Sequence, residues 1–208
     1  MPKNVELSQA MSARICHDLS GSVGTIENCI GLMGNSAKVI SEKAKNLVTD
    51  ESKVLVNRVK LFRAAYGNAS GDAEVSLISL SKLVKDYLGS TDIIVNMHIE
   101  EGMLYLSSPI AKAAMTLSLI AATNINYVGT IDLHIRSDMS HPVELISDGI
   151  DLDIKEEVKT VLMGDVKKPI TVTNCREHYV HKLCAKAGSH LSVHKKAGFV
   201  KYDIYKNN

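Results

Sequence analysis

Tryptophan is absent from the chain, and phenylalanine occurs only twice. Without large rings the core has to be assembled from Leu, Ile, Val, Ala and Met, a set that suits helix packing. A dominant charge is also missing: 24 Lys and Arg stand against 23 Asp and Glu, for a net charge of +1. No global field is available to hold nucleic acid, so any charge recognition is local. The four cysteines, Cys16, Cys29, Cys175 and Cys184, form no C-x-x-C pair. The longest apolar stretch, around Ala113 to Ala122, falls far short of a membrane span. Met1-Pro2-Lys3-Asn4 lacks the apolar core of a secretory signal. A reducing, cytoplasmic setting is therefore expected, with neither a membrane nor a nucleic acid as direct partner. What remains is an ordinary soluble composition, 45% apolar, in a length that allows one large domain or two small ones.

From about Val5 to Met33 there is no proline, and Leu19, Val23, Ile26, Ile30 and Met33 recur in steps of four and three, a heptad seam. Gly34-Asn35-Ser36 reads as a helix stop, a turn and a new N-cap. A second periodic run, Ile40, Ala44, Val48, Leu55, Val59, Phe62 and Tyr66, ends at Gly67-Asn68. Two stretches of similar length predict an antiparallel hairpin over residues 1–68, with a break at Thr49 to Ser52 as the alternative. Two helices alone leave apolar seams uncovered, so a partner hairpin and a dimeric four-helix bundle are expected.

Asn68 to Asp72 reads as a polar hinge, and residues 73–208 as a second domain. A short helix capped by Ser79 and stopped by Gly89 is followed by Ile93, Val95, Met97 and Ile99 alternating with polar neighbours, as in a half-buried strand. Further strands are expected at Met103–Leu106, Ile131–Ile135 and Val143–Ser147, and on either side of a turn at Lys195 to Gly198. Helices are expected from Ser108-Pro109 to about Asn126, near Lys155 to Met163 and from Cys175 to Ala187. Mixed elements with hairpin-joined strands predict an α+β fold, with helices on one face of a largely antiparallel sheet.

His17 lies two positions from both Ile15 and Leu19, roughly 200° of helical rotation from each, and so points away from the seam. A water-facing imidazole near neutral pH offers the lone pair of one ring nitrogen to an electrophile. Asp18 is placed to hold the other nitrogen as a donor, and Arg14, one turn earlier, to meet phosphate oxygens. An exposed histidine on a helix is, by itself, more often a bystander than a nucleophile. Cys16 adjoins His17, but neighbours on a helix point about 100° apart, which argues against a thiol–imidazole dyad. His178 and His181, one turn apart, lack an evident third metal ligand, and a solvated helix face is the plainer reading.

The run Arg14-Ile15-Cys16-His17-Asp18-Leu19, with Val23-Gly24-Thr25-Ile26-Glu27-Asn28 after it, resembles the phospho-accepting helix of ChpT-type bacterial histidine phosphotransferases. Lys60-Leu61-Phe62-Arg63-Ala64-Ala65-Tyr66-Gly67 is similar to that family's Phe-Arg-x-Ala-aromatic-Gly segment. Gly21-Ser22 stands where the family and the histidine kinases commonly have a proline. The resemblance implies a dimeric hairpin in which His17 carries the phosphoryl group. A hairpin that turns at Asn35 brings residues near Lys53 and Asn57 level with His17 on the neighbouring helix, where they are placed to contact a receiver domain. The partners it implies are receiver domains of a hybrid histidine kinase and of response regulators, which would bring the Mg²⁺.

The second part resembles the ATP-binding domain of histidine kinases stripped of its nucleotide motifs. Leu119-Ile120-Ala121-Ala122 stands where a Mg²⁺-holding asparagine is needed, and Asn124 comes about three positions late. Asp148-Gly149-Ile150 replaces the Asp-x-Gly-x-Gly turn, and no glycine pair precedes the helix at Cys175. No cofactor bound by this chain is therefore expected. A sensor-less histidine kinase and a dimeric scaffold are the rival readings.

Overall fold

The computed structural model describes residues 3–35, 38–67, 74–150, 152, 154–196 and 198–206. Helices α1 (Lys3–Asn35) and α2 (Lys38–Tyr66) run antiparallel, each roughly 45 to 50 Å long. Neither breaks. Helix α1 passes through Gly21-Ser22, and α2 passes through Thr49 to Ser52, where Thr49 Oγ1 donates back to the Lys45 carbonyl at 2.9 Å instead of capping a new helix. The expected turn residue Ser36 and the hinge at Asn68 to Asp72 lie outside the described residues.

Small and polar residues close the hairpin. Ser22, Cys29 and Ala44 are buried between the helices. Ser22 Oγ donates to Glu51 Oε1 at 3.1 Å and accepts from Arg58 Nη1 at 3.0 Å. Part of the apolar periodicity faces elsewhere: Val23, Ile30, Ile40 and Val59 of the two runs remain exposed, as do Leu47 and Val56 beside them on α2.

The second part is built from β1 (Val75–Ser76), α3 (Leu77–Leu88), β2 (Asp92–Ile99), β3 (Tyr105–Leu106), α4 (Ser108–Asn124), β4 (Val128–Ile135), β5 (Val143–Asp148), α5 (Glu156–Leu162), α6 (Cys175–Lys186), β6 (His190–Lys196) and β7 (Phe199–Tyr205). Five strands form one sheet in the order β2-β4-β5-β7-β6, and β1 pairs with β3 as a separate ribbon. The α+β class expected from the sequence is the class observed. Two details differ. The pair β2–β4 is parallel, whereas β4–β5, β5–β7 and β7–β6 are antiparallel. After β2 the chain turns away to β3, which pairs with β1, and α4 then crosses over to return β4 in the same direction as β2. Helix α3 has Ser76, not Ser79, at its N-cap position, without a side-chain cap hydrogen bond. It has to begin at Leu77 because Leu77, Leu80, Val84 and Leu88 together face the core.

Alternation along the strands sends Ile131, Leu133, Ile135, Val143, Leu145, Val200, Tyr202 and Ile204 inward, all fully buried. Helix α4 lies between this face and the remaining helices, so its run from Ala113 to Ala122 is buried on every side. Leu61, Phe62 and Ala65 at the end of α2 belong to the same apolar cluster. Polar bonds fasten the junction: Tyr179 Oη donates to the Ala65 carbonyl at 3.0 Å, and Lys112 Nζ to that of Gly67 at 2.5 Å. The hairpin base thus shares one apolar core with the sheet and its helices. Truncating Leu61, which is fully buried, to alanine is expected to lower stability by about 3 kcal/mol. Urea unfolding followed by circular dichroism should show one transition at lower midpoint; an early transition of the hairpin alone would show that the two parts fold separately.

Candidate functional site

The uninterrupted α1 carries Arg14, His17 and Asp18 at its middle. His17 projects outward with 79% of its side chain exposed, whereas the Asp18 side chain, one residue on, is turned inward and 13% exposed. The Asp18 carboxylate is a meeting point. Arg14 Nε lies 3.1 and 3.2 Å from its two oxygens, an i,i+4 pair. Arg176 of α6 forms an ion pair with Oδ2 through Nη2. His17 Nδ1 lies 3.4 Å from Oδ1. From α2, Arg58 Nη1 donates to the Asp18 carbonyl at 3.0 Å.

Arg176 reaches this point because of how α6 starts. The Asn174 side chain accepts from the Thr171 amide at 2.8 Å and donates to the Pro169 carbonyl at 3.1 Å, while the Asn174 amide donates to Thr171 Oγ1 at 3.3 Å. This closed loop begins the helix at Cys175 and leaves Arg176 buried against α1. Tyr66 and Tyr179 pack edge to face beside it, with ring centroids 5.5 Å apart. Burial pushes the Cys175 thiol up to about 11, so that sulfur is no nucleophile.

The structure brings His17, Asp18 and Arg14 together, but with Arg14 paired to Asp18 and largely buried where the sequence had placed it to meet phosphate oxygens, and it treats Lys53 and Asn57 differently. The hairpin register sets Arg58 beside Asp18, and Glu51 beside Ser22. Lys53 therefore lies more than a turn away along the hairpin, exposed and paired with Asp50 at 3.2 Å. Asn57 is drawn toward the second domain, where its Nδ2 donates to the Asp86 carbonyl at 3.0 Å. Arg58 and Arg176 are the residues that sequence reasoning missed. The first was one position from a residue already singled out. The second comes from 158 positions away, and only the asparagine cap before it marks where α6 begins.

Behind the Asp18 cluster lies a cavity of about 120 Å³ lined by Arg14, Asn124, Lys155, Thr173, Arg176 and Glu177, among others. Small-molecule pockets usually enclose roughly 300–1,000 Å³. Asn124, the late asparagine on α4, is buried and donates to Tyr202 Oη at 2.9 Å. Gly149 serves packing: a Cβ there would come within 2.8 Å of the Ile125 side chain. His178 is buried rather than on a solvated face, and His181 Nε2 lies 2.8 Å from the Val161 carbonyl, because α6 packs against α4 and α5. Among the described residues no three His, Cys, Asp or Glu side chains converge as a metal site.

No family model matches the sequence, and no curated protein matches it. A solved structure of a bacterial phosphotransferase superposes with a TM-score of 0.84 at 19% identity, covering 96% of each chain. The chain therefore shares the fold of that protein over 96% of its length. The histidine kinase AdeS of Acinetobacter baumannii and a blue-light-activated histidine kinase domain of Erythrobacter litoralis both align with TM-scores of 0.46 at 14% identity. They cover 92% and 88% of this chain, and 98% and 95% of their own. No helix among the described residues is long and apolar enough to cross a membrane.

Glu177, at the edge of the cavity, has a titration consequence. Burial pushes its carboxyl up to about 7, against the pull of Arg176 and Arg14. The folded chain then keeps a proton that the unfolded chain releases between about pH 4.5 and 7, so this group erodes stability as pH rises through that window. Relative to Glu177→Gln, the wild type should lose up to about 3 kcal/mol between pH 5 and pH 8 in urea titrations. Equal slopes for the two proteins would show that Glu177 ionises as an ordinary carboxylate.

Proposed function

We propose that this chain is a dimeric histidine phosphotransferase whose His17 passes a phosphoryl group between receiver domains. The observation that carries the reading is the setting of His17: an outward imidazole at the middle of a hairpin helix, with Nδ1 facing a carboxylate and Nε2 free to meet solvent. The fold shared with a bacterial phosphotransferase supports it.

Transfer proceeds in two in-line displacements. The Nε2 lone pair attacks the phosphorus of a receiver's aspartyl phosphate; the N–P bond forms, the acyl P–O bond breaks, and the aspartate leaves as a carboxylate. A second receiver's aspartate then attacks the phosphohistidine, and the bonding pair returns to Nε2. Asp18 accepts the Nδ1 hydrogen and stabilises the charge that develops on the ring. Positioning and charge neutralisation supply most of the rate in such transfers, with Mg²⁺ brought by the receiver. Donor and acceptor are, by this reading, the receivers of a hybrid histidine kinase and of response regulators, in the cytoplasm.

Transfer without ATP is the version the geometry favours. The cavity between α4, α5 and α6 is small for a nucleoside triphosphate, and Asn124 is engaged by Tyr202. Dimerisation is supported by the apolar side chains that the hairpin leaves exposed, Val23 and Ile30 on α1 and Leu47, Val56 and Val59 on α2.

Mixed with a phosphorylated receiver domain, the wild type should acquire an alkali-stable, acid-labile phosphate on His17, and His17→Ala should acquire none. Label from ATP alone would establish a kinase instead, and equal loss of label from the receiver with both proteins would favour a scaffold. Ile30→Glu with Leu47→Glu should convert the dimer to a monomer by light scattering; an unchanged mass would place the interface elsewhere.

A further inference from the structure

The ion pair between Asp18 and Arg176 joins residues 158 positions apart, on α1 and α6. Arg176 is buried, with 5% of its side chain exposed. Its Nη2 meets Asp18, while its Nε finds no hydrogen-bond partner among the described residues. As a device for stability this is poor, because burying a guanidinium costs about as much as its ion pair returns, and an unmade buried hydrogen bond adds to that cost. Apolar side chains would fill the same volume between α1, α4 and α6 at no such penalty. The arrangement makes better sense as a way of holding Asp18.

Asp18 has two oxygens and three claimants. Arg14 lies near both oxygens, Arg176 takes Oδ2, and Oδ1 is left facing His17 Nδ1 at 3.4 Å. Adjacent residues on a helix point about 100° apart, so a carboxylate at position 18 could equally swing toward water. The guanidinium entering from α6 draws it inward and fixes which oxygen the ring meets. That selects the tautomer with hydrogen on Nδ1, and hence Nε2 as the atom with the lone pair.

We infer that Arg176 is a positioning residue for phosphoryl transfer at His17, acting from the second domain through the Asp18 carboxylate. This rests on the phosphotransfer reading above. Its role is specific to the pair: once Asp18 is no longer a carboxylate, Arg176 has nothing left to hold.

The test is a double-mutant cycle on the full-length chain, with potassium phosphoramidate as donor. In that reaction Nε2 forms the N–P bond, the donor's P–N bond breaks, and ammonia leaves with a proton from solvent. Initial rates are read by phosphate-affinity electrophoresis. Asp18→Asn and Arg176→Gln should each slow labelling about tenfold, and the double variant should be no slower than Asp18→Asn alone. The His17 ring should show its hydrogen on Nδ1 in the wild type by two-dimensional ¹⁵N–¹H NMR, and a mixture of tautomers in both single variants. The cycle repeated with Arg176→Lys, which keeps a charge on α6 and serves where Arg176→Gln does not fold, should give a smaller loss that also vanishes in the Asp18→Asn background. Multiplying losses in either cycle, or a wild-type rate in folded Arg176→Gln, would overturn the inference while leaving the phosphotransfer reading intact. A wild type that takes no phosphate on His17, from phosphoramidate or from a phosphorylated receiver, would overturn both.

Discussion

The Asp18 carboxylate takes one guanidinium from its own helix and a second from α6, and the placement of the two parts of the chain turns on that shared anion. A carboxylate withdrawn this far from water needs compensation, and Arg14 alone lies on one side of it. The second cation therefore has to come from the packed side, where α6 presents Arg176. Because both charges are held by hydrogen bonds as well as by attraction, the contact is directional in a way that apolar packing is not. It orders the imidazole next to it and the helix opposite at the same time. Arg58, on the Asp18 carbonyl and on Ser22, extends this polar layer into the hairpin.

Around that polar layer the rest of the molecule is apolar scaffolding. The sheet supplies one flat face of β-branched and leucine side chains, and α4 fills the space above it with alanines that let neighbouring helices approach closely. The end of α2 enters the same cluster, so the helix that faces α1 is held by the second domain's own core. Along the rest of the hairpin no other described element gives such cover, and there Val23, Ile30, Ile40 and Leu47 meet water.

Much of this was legible in the amino-acid order because it depends on local periodicity. Helices α1 and α2, the strands carrying Ile131, Leu133 and Ile135, and a helix beginning at Cys175 follow from local residue pattern alone. So does the outward direction of His17, which needs only the helical angle from Ile15 and Leu19. The parallel pairing of β2 with β4 was not legible, because strand direction depends on where α4 crosses and not on the strands' own composition. The start of α3 at Leu77, one turn before Ser79 would cap it, was not legible either, because burial of Leu77 is a tertiary fact. For the site the same division holds. Arg14 and Asp18 are i,i+4 neighbours and could be paired on paper, whereas the turn-scale register that favours Arg58 over Asn57 requires the packed hairpin. Arg176 belongs to a contact that only the closed fold creates.

The burial of Leu61, Phe62 and Ala65 in the second domain's core limits how this architecture can be taken apart. A hairpin that stood free would be a portable module, open to transplantation by gene fusion onto unrelated partners. Here the last turns of α2 would be left with a bare apolar surface if the sheet and its helices were removed. Sequence drift in the sheet and drift in the hairpin base are consequently tied together, and the two must be inherited as one piece.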